Sequence, residues 1–156
     1  MDKFHVPVLR DEAISGLKIK DKGLYIDATI GGGGHTEEIL KRGGKVVGID
    51  QDKDAIVHLK KKFESEISQG LLVLVRGNFA DIKEIAEKRG ITEADGILFD
   101  LGVSSYQIDN SGRGFSFIRD EPLDMGMDSS ALLQAKEIII TWPDNQLIEI
   151  LKYLND

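Results

Sequence analysis

The chain is 156 residues long, 41% hydrophobic and 30% charged, with 17 glycines and 3 prolines; this is the composition of a folded globular domain and not of a disordered or collagen-like chain. It has no cysteine, which excludes disulfides, thiolate catalysis and cysteine-held zinc or iron, and a formal net charge of −7, which argues against a surface that clings everywhere to phosphates. Residues 1–10 hold neither an apolar signal core nor a small-residue cleavage site, and no apolar run approaches the roughly 18 residues that span a bilayer, so no membrane partner is expected and a reducing cytoplasm is the expected setting.

In chain order, short β-rich runs alternate with helical patterns, the rhythm of βα units that build a parallel sheet. The first strand is expected over Leu24 to Ala28, followed by a glycine loop and a helix from Thr36 to Arg42. A second strand follows over Lys45 to Asp50. The next helix runs from Lys53 to Ile67, with Ile56, Leu59, Phe63 and Ile67 at helical spacing and Asp52 as its N-cap. Lys60, Lys61 and Lys62 on that helix read as a solvated face. The third strand covers Leu71 to Arg76, a helix Ile82 to Lys88, and the fourth strand Gly96 to Leu101. Gly43, Gly70 and Gly90 stand where helices end and a left-handed residue is wanted. From Gly102 to Asp128 the sequence is polar and glycine-containing with no strand or helix period, a long loop of the kind that is commonly functional. Helical patterns return at Ser130 to Ile140 and at Pro143 to Leu154, with Pro143 suited to a first turn.

The most informative segment is DATIGGGGH at residues 27–35, where the first strand hands over to the first helix. Glycines there admit positive φ and leave the backbone bare, and the helix start offers free N–H donors. The dinucleotide fingerprint is not met, because its third glycine falls on Thr36 or Glu37, and no Lys-Ser or Lys-Thr pair completes a triphosphate loop. An acid, Asp27, preceding the glycines suits a ligand that carries an amine. At the end of the second strand Asp50 is placed to accept from two neighbouring ribose hydroxyls. Phe79, in GNF after the third strand, is either a core residue or a flank for a flat ring. Asp100 ends the fourth strand beside the same crevice, at the edge where α/β sheets place their chemistry.

Together these segments resemble the MraW (RsmH) type methyltransferases, which modify a cytosine amine in small-subunit ribosomal RNA. The resemblance rests on HVPVL at 5–9, YIDAT at 25–29 running into GGH at 33–35, GID at 48–50, DGILFDLGVSS at 95–105, RGFSF at 113–117, and PLDM at 122–125 with Met127 and Asp128. It implies S-adenosyl-L-methionine as cofactor, S-adenosyl-L-homocysteine as product, and cofactor contacts at Gly33, Gly34, His35, Asp50, Phe79, Asp100 and Gln107. Of these, His35 and Gln107 come from the resemblance alone; the spacing by itself makes His35 a first-turn helix residue. Asp27 and Gly31 complete the expected cradle. Amine methylation needs the nitrogen lone pair turned to the methyl, and Asp100 could orient the N–H and help remove its proton. The Asp/Asn-Pro-Pro-Tyr tetrapeptide of many amino-methyltransferases does not occur. Gly126 stands where the family usually has arginine, which removes a bidentate donor.

The expected fold is α/β and Rossmann-like, a mostly parallel sheet in order 3-2-1-4 with helices on both faces and the family's later strands missing. Residues 1–128 would form the cofactor-binding domain and 129–156 a helical segment, the start of the family's substrate domain or a C-terminal cover. The fourth strand would then show an open edge of Ile97, Leu98 and Phe99, to be covered by the segment from Ser130 to Leu154 or paired in a homodimer. Methyl transfer to the N4 amine of a ribosomal RNA cytosine is the expected activity. The alternatives are a cofactor-binding relative without that activity and a small-molecule methyltransferase.

Overall fold

The apolar runs LYI and VVGI have no polar face, the pattern of strands covered on both sides, and they become the two central strands of a parallel sheet. The computed structural model describes residues 9–128 and 133–153. The chain divides into two units, 1–104 and 105–156. In the first, the elements follow one another as α1 (Arg10–Leu17), β1 (Leu24–Asp27), α2 (Gly34–Lys41), β2 (Lys45–Asp50), α3 (Lys53–Lys62), α4 (Glu64–Ser68), β3 (Leu72–Arg76), a 3-10 turn over Phe79–Asp81, α5 (Ile82–Lys88) and β4 (Gly96–Leu98). The sheet order is β3-β2-β1-β4, all parallel, as the sequence leads one to expect.

The register sorts the core into two layers. Tyr25, Val46 and Leu72 lie side by side across β1, β2 and β3 and pack with Ile14 of α1, Ile39 of α2, and Leu59 and Phe63 at the end of α3. One residue further along each strand, Ile26, Val47 and Val73 point to the other face, where Ile82 and Ile85 of α5 and Ile91 close over them. Burying an aliphatic or aromatic side chain of this size contributes about 1.5–3 kcal/mol, so the two layers hold the strand ends in place.

Three differences from the sequence reading have physical causes. α1 carries one buried core residue, Ile14, too few to make a helical period. The helix expected from Lys53 to Ile67 breaks at Phe63, whose backbone leaves helical values (φ −114°, ψ 33°) and which caps α3 and opens α4. β4 stops at Leu98 and not at Leu101, because after the ladder bond from Ala28 N–H to the Leu98 carbonyl (2.9 Å) the next donor, Asp100 N–H, goes to the Thr29 hydroxyl. Of the residues expected along the β4 edge, Leu98 is buried while Ile97 and Phe99 are each 48% exposed.

The second unit contains α6 (Ser105–Asn110), α7 (Ala135–Thr141) and α8 (Asp144–Tyr153). Six residues of helix are too short to show a period, which is why α6 was not legible. Arg113 is buried and donates to the carbonyls of Gly126 (2.9 Å) and Met127 (3.1 Å). The carbonyls of Leu123 and Asp124 accept from Lys136 (2.9 Å) and Ala135 (3.0 Å). The last two bonds join the stretch before residue 128 to the start of α7. Residues 5–8, 130–132 and 154 of the expected motifs and helices lie outside the described residues. No helix among the described residues is long and apolar enough to cross a membrane.

One close approach links the sheet to the loop above it. Gly48 of β2 faces Ile30 of the glycine loop, and a Cβ at position 48 would overlap Ile30 Cδ1. Gly48→Ala is expected to destabilise the chain by about 1–3 kcal/mol in urea unfolding, the usual cost of overpacking. Adding Ile30→Val, which removes Cδ1, should recover part of that loss; a double variant no more stable than Gly48→Ala would show that the strain lies elsewhere.

Candidate functional site

The site grows from the point where β1 ends. Asp27 is 1% exposed, and its carboxylate accepts from the Thr36 hydroxyl at the start of α2 (2.7 Å) and from Thr29 N–H (3.4 Å). The chain between is thereby forced into a tight arch. Ile30 N–H donates to the Ile49 carbonyl of β2 (3.0 Å), and Gly33 N–H closes a turn on the Ile30 carbonyl (2.7 Å). Gly31 and Gly33 adopt φ of 49° and 77°, left-handed values that glycine takes without penalty.

The two glycines serve different ends. A Cβ on Gly33 would sit 2.6 Å from the Phe63 ring and 2.8 Å from Leu59 Cδ2, so Gly33 is where the loop presses on the end of α3. A Cβ on Gly31 would meet only the Thr29 carbonyl oxygen at 3.8 Å; this is the bare side of the loop. Lys62 straps the arch from outside, its Nζ donating to the Gly32 carbonyl (3.1 Å), pairing with Glu37 (3.2 Å) and lying 4.9 Å from the Phe63 ring centroid. The sequence pattern places Lys62 on a solvated face with Lys60 and Lys61, and only the fold of α3 back onto the loop gives it this task.

Asp50, at the end of β2, is half-buried and accepts from Gly31 N–H (2.9 Å) and Asp52 N–H (2.8 Å). Burial raises its pKa above the ordinary carboxylate value against the pull of those backbone donors. Asp52 is buried and caps α3 by accepting from Asp54 N–H (3.0 Å). Beyond β3, the Asn78 side chain accepts from Ala80 N–H (2.9 Å) and reaches Gln51 (3.2 Å), which sets Phe79 at the head of its 3-10 turn. Phe79 is 38% exposed and meets Phe99 edge to face, ring centroids 5.9 Å apart at 87°. β3 and β4 are the two outer strands, so the segments that follow them meet above the carboxyl ends of β1 and β2.

Asp100 completes the rim. Its N–H is held by the Thr29 hydroxyl at 2.6 Å, and its carboxylate lies 3.8 Å from Nδ1 of the buried His35. Gly34 and His35 form the first turn of α2. The first unit therefore brings together Asp27, Gly31, Gly33, Gly34, His35, Asp50, Phe79 and Asp100. Gln107 belongs to the second unit, where it is buried on α6 and its carbonyl accepts from the Ser111 hydroxyl (2.6 Å). Asp27 has both oxygens engaged within the chain and shapes the loop that follows it. Chemically, the rim offers a half-buried carboxylate, a bare stretch of backbone, a helix start, an aromatic corner and a half-exposed second carboxylate.

A family model described as the MraW methylase family matches residues 2–156. The ribosomal RNA small subunit methyltransferase H of Carboxydothermus hydrogenoformans is 46% identical over 151 residues, which cover 96% of this chain and 48% of that protein. The protein of the same name from Acetivibrio thermocellus is 49% identical over 142 residues, covering 89% and 45%. The chain thus spans about half the length of the curated relatives it matches. Among solved structures, the C-terminal domain of precorrin-6Y C5,15-methyltransferase from Rhodobacter capsulatus aligns with a TM-score of 0.50 at 19% identity, over 62% of this chain and 50% of that one, a likeness of fold.

Burial pushes the Asp27 carboxyl up to about 6, against the lowering effect of its bonds from Thr36 and Thr29. A carboxyl raised in the folded chain binds its proton at higher pH there than in the unfolded chain. The stability it contributes is therefore greatest below its ordinary value of 3.8 and is lost as pH rises to about 6. Compared with Asp27→Asn, which does not titrate, the wild-type chain should gain on the order of 3 kcal/mol between neutral pH and pH ~4. Urea unfolding of both chains across that range reads the difference; a flat difference would overturn the assignment.

Proposed function

The chain belongs to the MraW methylase family, and we propose that it binds S-adenosylmethionine and serves methyl transfer to the N4 amine of a cytosine in small-subunit ribosomal RNA. The observation that carries this reading is the bond from Gly31 N–H to the Asp50 carboxylate (2.9 Å), which joins the bare loop and the acid at the end of β2 into one cradle.

The residues suit the cofactor. A carboxylate has about four lone-pair directions, so Asp50, steadied by backbone N–H groups, retains capacity to accept from the ribose hydroxyls. Gly31 admits close approach, and the α2 start at Gly34 and His35 offers donors to the methionine carboxylate. The corner made by Phe79 accepts the adenine ring against its half-exposed face. When bound, the cofactor supplies a methyl group on a sulfonium, already activated toward a nitrogen lone pair. Asp100 holds the cytosine amine by one N–H, turns its lone pair toward the methyl and takes up the proton released. Methyl transfer to ribosomal RNA is supported by the names of the two relatives, and the expected compartment is the cytoplasm.

The β4 edge belongs to the same proposal as a pairing surface for a second copy of the chain, since Ile97 of this outer strand and Phe99 just past its end stand half exposed. Sedimentation should read a dimer that Ile97→Lys returns to monomer; a wild-type monomer at all concentrations would defeat it.

Titration calorimetry with S-adenosylmethionine tests the core of the reading. Heat of binding is expected, with affinity reduced at least tenfold by Asp50→Asn, given the ~1.5–3 kcal/mol carried by hydrogen bonds to a charged group. No heat from the wild-type chain would overturn cofactor binding. Incubation with undermethylated small subunits and labelled cofactor then separates an RNA methyltransferase from a relative that binds without transferring.

A further inference from the structure

The way β4 leaves the sheet assigns a task to a residue outside the expected cradle. In a parallel ladder the strand that follows Leu98 would offer its next inward N–H, that of Asp100, to the backbone of β1. Here β1 has already turned into the glycine loop after Asp27, and the acceptor is a side chain, Thr29 Oγ1, at 2.6 Å. Thr29 is itself fixed, because its own N–H is accepted by the buried Asp27 carboxylate (3.4 Å), whose other oxygen takes the Thr36 hydroxyl (2.7 Å). A β-branched residue also has few χ1 choices, so its hydroxyl stays aimed. The result is a chain of bonds running from the start of α2 through Asp27 and Thr29 to Asp100. It continues through space to His35 in the same first turn of α2, whose Nδ1 lies 3.8 Å from the Asp100 carboxylate.

We propose that Thr29 is a positioning residue, whose hydroxyl fixes Asp100 against the glycine loop and which contributes to ligand binding through Asp100. The proposal rests on the cofactor reading given above and adds to it the device that sets the distance between the two sides of the cradle. Neither the glycines nor Asp50 can do this. Among the described bonds the glycines make none to β4, and the Asp50 carboxylate accepts from backbone N–H groups of Gly31, Asp52 and Gln51, none of them on β4. Without the Thr29 hydroxyl, Asp100 N–H loses its acceptor and the segment after Leu98 loses its bond to Thr29 of the loop beside it. The side chain of Asp100, 46% exposed, would then lie wherever the freed segment carried it.

Two substitutions separate this role from general damage. Thr29→Val keeps the shape and removes the acceptor, whereas Thr29→Ser keeps the acceptor. With S-adenosylhomocysteine as the probe, calorimetry of the 156-residue chain should show affinity about tenfold weaker in Thr29→Val, as expected for one lost hydrogen bond. Thr29→Ser should come within about twofold of wild type. If Thr29 acts through Asp100, Thr29→Val should change affinity by less than about twofold when added to Asp100→Ala, as a double-mutant cycle requires of coupled residues. An equal loss in both backgrounds, or undiminished affinity in Thr29→Val, would overturn the proposal.

Amide hydrogen exchange of Asp100, read by NMR without any ligand, tests the structural half independently. Exchange should be at least about tenfold faster in Thr29→Val and restored in Thr29→Ser; unchanged exchange overturns the proposal. A wild-type chain that gives no heat with the probe overturns the cofactor reading and the ligand-binding half of this proposal. The exchange rates would still decide whether Thr29 positions Asp100.

Discussion

A carboxylate taken almost wholly out of water at the end of a central strand is costly unless it is hydrogen-bonded on all sides, and Asp27 meets that condition by holding two separate pieces of chain. Its bonds to Thr36 and Thr29 bring the first turn of α2 and the second residue after β1 to one point. Everything between is left to arch outward. The left-handed glycines, the turn at Ile30 and the bond from Gly31 to Asp50 follow from that closure, since a six-residue span with fixed ends has few ways to run. Remove the knot and the loop loses its course even though none of its glycines has changed. Asp27, with both carboxylate oxygens turned inward, is thus the anchor of the loop.

The second constraint comes from below. Ile30 packs down on β2 where Gly48 leaves room for it, and Gly33 abuts Phe63 and Leu59 at the end of α3. The loop is held between a strand and a helix end, with Lys62 across its outer side. This explains why α3 and α4 do not form one helix. Phe63 sits at the break with its ring against Gly33, and apolar residues that read as one helical stripe instead belong to two short helices with a joint between them. The break serves the loop, and the joint is as much a part of the site as the glycines.

Legibility in the sequence followed periodicity. β2 and α5 were readable to the residue, and the order of the strands followed from βα alternation, because buried strands and amphipathic helices leave regular patterns that side-chain burial enforces. The glycine loop, Asp50 and Asp100 were readable because strand ends in an α/β sheet are where ligands bind. What stayed hidden was set by single contacts. The bond from Asp100 N–H to Thr29 shortens β4, and α1 has a single fully buried residue, Ile14. Lys62 differs from Lys60 and Lys61 only in where the turn of α3 aims it. His35 and Gln107 carried no signal of their own; the family pattern named them, and the fold brings His35, though not its role, to the rim beside Asp100.

The acids that end β1 and β2 and the one two residues past β4 show how one residue type differs with its depth. Asp27 is buried, both its oxygens face inward, and burial raises its pKa. Asp50 is half-buried and raised in the same direction, yet it is bonded chiefly by backbone N–H groups that stabilise its charged form. Asp100 has its side chain 46% exposed and is fixed through its main chain, which leaves the carboxylate itself available. Depth therefore falls across the mouth of the sheet from the buried Asp27, through the half-buried Asp50, to the half-exposed Asp100. A deep carboxylate cannot change its partners without unfolding the loop, and a wholly exposed one would be hydrated and poorly aimed. The exposed acid is held in line with the buried one, because Thr29 is bonded to both: its N–H donates to the Asp27 carboxylate and its hydroxyl accepts from Asp100 N–H.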